Sequence, residues 1–146
     1  MEVRLEPVIH SRNVDRRLQI AVGVIFSPDK KKVLLSRRHE NADQGGLWEF
    51  PGGKCEPDED TLSALKRELF EELNIEISGA TELLKIDYDY PQLSVCLNVW
   101  SVSEWKGRVF GREGQVIEWV DIDKLHLRDF PEANERIITC LNQLEC

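Results

Sequence analysis

The chain has 146 residues, 41% hydrophobic and 32% charged, with a formal net charge of −8. That describes one ordinary globular domain, long enough to bury a core without staples. No apolar run is long enough to cross a bilayer. The charged stretch from Met1 to Gln19 lacks the apolar segment of a secretory signal, and an acidic chain is a poor binder of a polynucleotide backbone.

In chain order, Met1 to Arg17 falls outside the core pattern and is expected to be a flexible arm before a domain over 18–146. Leu18 to Phe26 (LQIAVGVIF) is a continuous apolar run and predicts a buried strand. Ser27-Pro28-Asp29 is turn chemistry, and Lys32 to Ser36 a second strand, so the two predict a hairpin. His39 to Gly46 is polar, ends in two glycines and reads as a loop. Leu47 to Phe50 predicts a short strand running into a Pro51-Gly52-Gly53 loop.

A helix is predicted over Thr61 to Leu73, capped by Asp60 or Thr61, with Asn74 taking the left-handed position that ends it. Leu62, Leu65, Leu69 and Leu73 form its apolar stripe. Thr81 to Tyr90 and Leu93 to Ser103 predict strands around Pro91, where Tyr88 and Tyr90 read as ordinary sheet residues. Trp105-Lys106-Gly107 and Gly111 to Gly114 read as loop, and Gln115 to Val120 as a strand. Pro131 suits the first position of a last helix with Ile137, Leu141 and Leu144 on one face. The order implies an α+β fold, an α/β/α sandwich in which helices flank a mixed central sheet. Cys55, Cys96, Cys140 and Cys146 show neither a CxxC pair nor zinc spacing, which predicts reduced thiols.

The acidic residues concentrate between Glu49 and Asp89. Glu68, Glu71 and Glu72 stand at i, i+3 and i+4 and share one helix face, with Glu59 in the loop before it. Two such carboxylates about 4 Å apart repel by roughly 4 kcal/mol at an effective dielectric near 20. The side chains therefore splay into water, take up a proton, or bind cations. Taken alone, such a face reads as a solvated surface. The glycine loop that precedes it favours a site, because glycine lets backbone groups approach a ligand closely.

The full pattern is Gly53, five residues, Glu59, seven residues, Arg67-Glu68-Leu69, one residue, Glu71-Glu72, then Ile75. It resembles the signature of the Nudix hydrolases, departing only where Asn74 replaces a glycine. The resemblance implies hydrolysis of a nucleoside diphosphate linked to another group. It implies Mg²⁺, with Mn²⁺ as a substitute, held by Glu68, Glu71, Glu72 and Glu113 with the Gly52 carbonyl. Arg67 would orient the glutamates and Glu59 would support the loop, while Glu68 and Glu113 are the candidate bases.

The likeness extends to the MutT branch of the family through Ser36-Arg37-Arg38, Trp48 to Lys54, Gly111 to Gln115 and Asp129 to Asn134. It implies that Arg38, Glu49, Phe50, Pro51, Gly52 and Asn134 bind the nucleotide, that Asn134 reads the base, and that the substrate is 8-oxo-dGTP. It further implies a cytoplasmic enzyme, monomeric or weakly dimeric, with no membrane or nucleic-acid polymer as partner. Oxidation at C8 makes guanine N7 an N–H donor, and an amide can accept from it while donating to O6. The plain alternative for Asn134 is a helix-start residue bonded to local backbone. The loop from His39 to Leu47 instead resembles relatives acting on CTP or modified pyrimidine nucleotides. A non-catalytic nucleotide-binding module is the third alternative.

Overall fold

The computed structural model describes residues 17–41 and 45–143. Its elements run β1 (Leu18–Ile25), β2 (Lys32–Arg37), β3 (Trp48–Glu49), β4 (Gly52–Lys54), α1 (Thr61–Leu73), β5 (Glu76–Tyr90), β6 (Leu93–Lys106) and β7 (Ile117–Asp121). Two 3₁₀ turns follow, Ile122–Leu127 and Glu132–Asn134, and then α2 (Glu135–Gln143).

One sheet has the order β4-β1-β6-β5, the other β3-β2-β7. The first is mixed: β1 runs parallel to β6 and antiparallel to β4, while β5 and β6 form a long, bulged antiparallel hairpin. The expected hairpin of the first two strands does not form. Both backbone edges of β1 are taken by β4 and β6, so β2 joins the other sheet and touches the end of β1 through a single bridge, Phe26 to Val33.

Alternation along β1 sends its side chains to opposite faces. Val22 and Val24 pack in a cluster with Leu97, Val99, Ile137 and Leu141, the last two from α2. Ala21 and Ile25 pack with Leu65, Leu69 and Leu73 of α1. The two helices therefore cover opposite faces, giving the mixed sheet with flanking helices that the element order implied. At Gly23 an added Cβ would lie 3.2 and 3.3 Å from methyls of Leu65 and Leu69, so the missing side chain lets α1 lie close on β1.

Helix α1 has the predicted limits. Asp60 caps it, its carboxylate accepting from the Ser63 amide at 2.7 Å and so satisfying a donor that the helix leaves unpaired. Asn74 ends it in the left-handed conformation at φ 65°, and its side chain donates to the Arg108 carbonyl at 3.2 Å. The buried stripe is Ala64, Leu65, Leu69 and Leu73, with Leu62 only half-buried at its edge.

Elsewhere the boundaries move. Strand β5 begins at Glu76 rather than Thr81, and β6 continues to Lys106 because Trp105 finds an apolar partner in the stacked ring of Trp119. Gly52 and Gly53, expected as loop, pair with β1 as part of β4. Pro131 precedes a 3₁₀ turn, and the α-helix starts only at Glu135. Residues 1–16 of the expected arm and Leu144 lie outside the described residues. Arg17, its last residue, donates to the carbonyls of Val95 at 3.1 Å and Tyr88 at 3.4 Å and pairs with Asp89 at 2.9 Å. Cys55 and Cys96 are free thiols, as expected. Cys140 is disulfide-bonded, a pairing that a search for CxxC and zinc spacings does not reveal.

Candidate active site

The site begins where β4 meets α1. Gly52 has φ 154°, and a Cβ there would fall 2.0 Å from the Ala21 carbonyl oxygen, so no side chain fits. A Cβ on Gly53 would fall 2.3 Å from the Glu68 carboxyl carbon. The two glycines thus let the loop lie flat on β1 while the Glu68 carboxylate rests against the backbone of Gly53. Pro51 is buried, and its carbonyl accepts from the Gly23 amide at 2.8 Å.

Arg67 ties this loop to the helix. It grips Glu59 with two hydrogen bonds of 2.8 Å, donates to Glu68 at 2.9 Å and to the Lys54 carbonyl at 3.1 Å, and reaches Glu71 only at 3.5 Å. Bidentate grips of this kind fix geometry as well as charge. Glu59 is held a second time by the Glu56 amide at 2.9 Å, and the Arg67 guanidinium, its strongest partner, draws its pKa down to about 2. Although Arg67 stands four residues before Glu71 on the helix, it mainly braces Glu59 and Glu68. Glu71 stands outermost and exposed.

Glu72 occupies the opposite electrostatic situation. Burial raises its pKa to about 9, helped by a hydrogen bond with Glu68 and by the charges of Glu68, Glu113 and Glu49. Of the three escapes from mutual repulsion, Glu72 takes the proton, donating it in a hydrogen bond to Glu68. Glu49 is likewise raised by burial, opposed by Arg38, which donates to it at 3.1 Å.

Glu113 reaches this cluster from a loop that caps the helix. The carbonyls of the last turn of α1 lack intrahelical partners. The Glu72 carbonyl accepts from the Arg112 amide at 2.9 Å and from the Gln115 side chain at 3.0 Å, and the Phe70 carbonyl from Arg112 Nη1 at 3.2 Å. The Gln115 side-chain oxygen in turn accepts from the Glu113 amide at 3.0 Å. Among the described residues no three acidic, histidine or cysteine side chains yet converge at coordination distance. The Glu68 carboxylate is turned to Arg67 instead.

A cavity of about 640 Å³ opens beside the acidic cluster. Ile20, Val22 and Leu97 from the central strands form an apolar floor, and Arg38, Glu49, Phe50 and Gly52 a wall. Phe50 is buried, with its ring stacked on Phe130 at 5.6 Å, so it serves core and cavity together. Asn134 lines the other side, only 8% exposed. Its backbone amide donates to the Pro131 carbonyl at 3.0 Å, but its side-chain amide makes no hydrogen bond among the described residues.

The fold therefore gathers Arg38, Glu49, Phe50, Gly52 and Asn134 around one cavity and sets Glu68, Glu72 and Glu113 together beside it. Pro51 is not on the cavity wall, because its carbonyl is committed to β1. Sequence reasoning missed Gln115, which holds Glu113 in place, and Tyr90, which lines the cavity. Both act through contacts across 43 residues, so local spacing carries no signal for either.

Residues 17–140 match the NUDIX domain model. The chain belongs to the NUDIX family. As a Nudix hydrolase it is similar to the 8-oxo-dGTP diphosphatase of Escherichia coli K12, at 38% identity over 88% of this chain and 99% of that protein. It is also 40% identical to the CTP pyrophosphohydrolase of the same organism, over 67% of this chain and 72% of the relative. A solved structure from work on MutT of Aliivibrio salmonicida and Vibrio cholerae matches this Nudix hydrolase with a TM-score of 0.77 at 34% identity, covering 88% of this chain and 98% of that one. Among the described residues no helix is long and apolar enough to cross a membrane.

Proposed function

We propose that this Nudix hydrolase is a Mg²⁺-dependent nucleoside triphosphate pyrophosphohydrolase that converts 8-oxo-dGTP to 8-oxo-dGMP and pyrophosphate, and so cleans the cytoplasmic nucleotide pool. The observation that carries the base assignment is Asn134. A buried amide without a partner is costly to leave unsatisfied, by about 1–3 kcal/mol, so its placement on the cavity calls for a ligand with complementary polar edges. The edge of 8-oxoguanine offers an N7–H donor beside the O6 acceptor, which matches both ends of the amide; unmodified guanine sets a lone pair against the amide oxygen.

The donor set fits a divalent cation. Glu68 sits in a cradle that only a glycine at position 53 leaves open, and the proton that Glu72 keeps beside it is one an ion would displace. Glu68, Glu71, Glu72 and Glu113, with the Gly52 carbonyl, would hold Mg²⁺ or Mn²⁺. Bound there, the ion would neutralise phosphate charge and acidify a water. Arg67 and Glu59 keep the glycine loop and Glu68 in fixed relation, which is the positioning that such chemistry rewards. Glu68 or Glu113 takes the proton of the attacking water. Arg38 brings a cation to the cavity wall, held by Glu49.

The similarity to a CTP pyrophosphohydrolase supports a second reading, in which the cavity takes a cytidine or oxidised pyrimidine nucleotide. Values of kcat/KM for 8-oxo-dGTP, dGTP and CTP separate the two. The proposal expects 8-oxo-dGTP to lead dGTP by at least about ten- to a hundredfold, the worth of one polar mismatch. CTP in first place would support the second reading.

A further inference from the structure

We propose that Tyr90, seconded by Tyr88, is a positioning residue for base recognition: its hydroxyl holds the turn that aims Asn134 into the cavity. The inference rests on the reading of Asn134 given above.

Asn134 ends a 3₁₀ turn of three residues, Glu132–Asn134, whose N-cap Pro131 makes no side-chain capping bond. The Asn134 side chain has no hydrogen bond among the described residues to hold it, so its aim depends on where the backbone of the turn sits. That backbone is fixed from outside by β5. The amide of Ala133, a residue only 2% exposed, donates to the Tyr90 hydroxyl at 3.0 Å. The hydroxyl of Tyr88 donates to the carboxylate of Glu132. Two consecutive residues of the turn are thus gripped by two tyrosines that share one face of the strand, with ring centroids 4.7 Å apart.

The strand can bear this role because its end is anchored in turn. Arg17 donates to the Tyr88 carbonyl at 3.4 Å and pairs with Asp89 at 2.9 Å. Tyr90 also lines the cavity, so the distance from its hydroxyl to the turn helps to set the width of the space in which the base must meet Asn134. Removing the Tyr90 hydroxyl leaves a buried amide without its acceptor and frees the turn to shift. A displacement too small to unfold anything still misaligns an amide that must meet two polar atoms at once.

The experiment measures kcat/KM for 8-oxo-dGTP and dGTP in the intact protein and in Tyr90→Phe, Tyr88→Phe, Asn134→Ala and the Asn134→Ala/Tyr90→Phe double variant, with melting temperatures for each. Tyr90→Phe is expected to lower the 8-oxo-dGTP to dGTP ratio about tenfold, the loss falling on KM for 8-oxo-dGTP more than on kcat. Tyr88→Phe lowers it in the same direction by less. In the Asn134→Ala background Tyr90→Phe lowers the ratio no further, because there is no longer a side chain to aim. If Asn134→Ala collapses the ratio and Tyr90→Phe leaves it intact, or slows both nucleotides equally, the positioning role is overturned and the base assignment survives. If Asn134→Ala keeps the ratio, the base assignment itself fails, and this inference with it. Should Tyr90→Phe lose its fold, Tyr88→Phe carries the same test.

Discussion

At the glutamate helix, charge is held by charge. Arg67 links Glu59, Glu68 and the Lys54 carbonyl, and Glu72 keeps a proton because it is buried and its neighbours are acidic. The cavity beside it is built the other way, from an apolar floor and an amide whose side chain has no described partner. The first region is organised by short-range spacing along one helix and its loop. The second is assembled from β1, β6, the 3₁₀ turn and the β5 tyrosines, which are far apart in sequence. The proposed function therefore assigns reaction and specificity to separable parts, and mutations should divide them.

The largest effect is expected at Glu72. Glu72→Gln should lower kcat on the order of 10³-fold, as loss of a group that stabilises developing charge does. Because Glu72 is already protonated in the metal-free fold, its melting temperature without metal should stay level or rise. A variant retaining near-full activity would break the acidic half of the comparison. The adjacent glycines sharpen it. Gly53→Ala requires only the Glu68 carboxylate to move, so it should fold and lose about a hundredfold in activity, the cost of roughly an ångström of misplacement. Gly52→Ala drives a Cβ into the backbone of Ala21 and should lose folded protein as well, which circular dichroism distinguishes.

Next in size comes the specificity half. Asn134→Ala should lower the 8-oxo-dGTP to dGTP ratio in kcat/KM by about ten- to a hundredfold. An equal loss on both nucleotides would show that the two regions are not separable.

The last effect is on stability rather than turnover. Glu72 holds its proton up to about pH 9 when folded but only to its ordinary value of 4.5 when unfolded. Between those values the folded state binds more protons, so metal-free stability is greatest below the lower one and falls as pH rises through the window. The upward shift of Glu49 acts in the same direction. Melting temperature without metal should decline from about pH 5.5 to about pH 8.5, and Mg²⁺ should offset the decline by replacing the proton.

Much of this was legible in the sequence because helical spacing is a local property. The limits of α1, its Asp60 cap and the left-handed Asn74 follow from neighbouring residues, as does the shared face of the glutamates. The topology of β1 and β2 was not legible, since a turn between two strands predicts a hairpin unless both edges of the first are claimed by strands distant in the chain. Strand β4 was hidden for a related reason, as glycines needed for close approach read as loop. The roles of Tyr90 and Gln115 depend on contacts across 43 residues each, which no spacing rule contains.

The most direct test follows products from 8-oxo-dGTP while Mg²⁺ is titrated. The account predicts that 8-oxo-dGMP and pyrophosphate appear together and only with the ion, and that Glu72→Gln shifts or abolishes that dependence. Turnover undiminished in excess chelator, or release of inorganic phosphate and a nucleoside diphosphate instead, would contradict it.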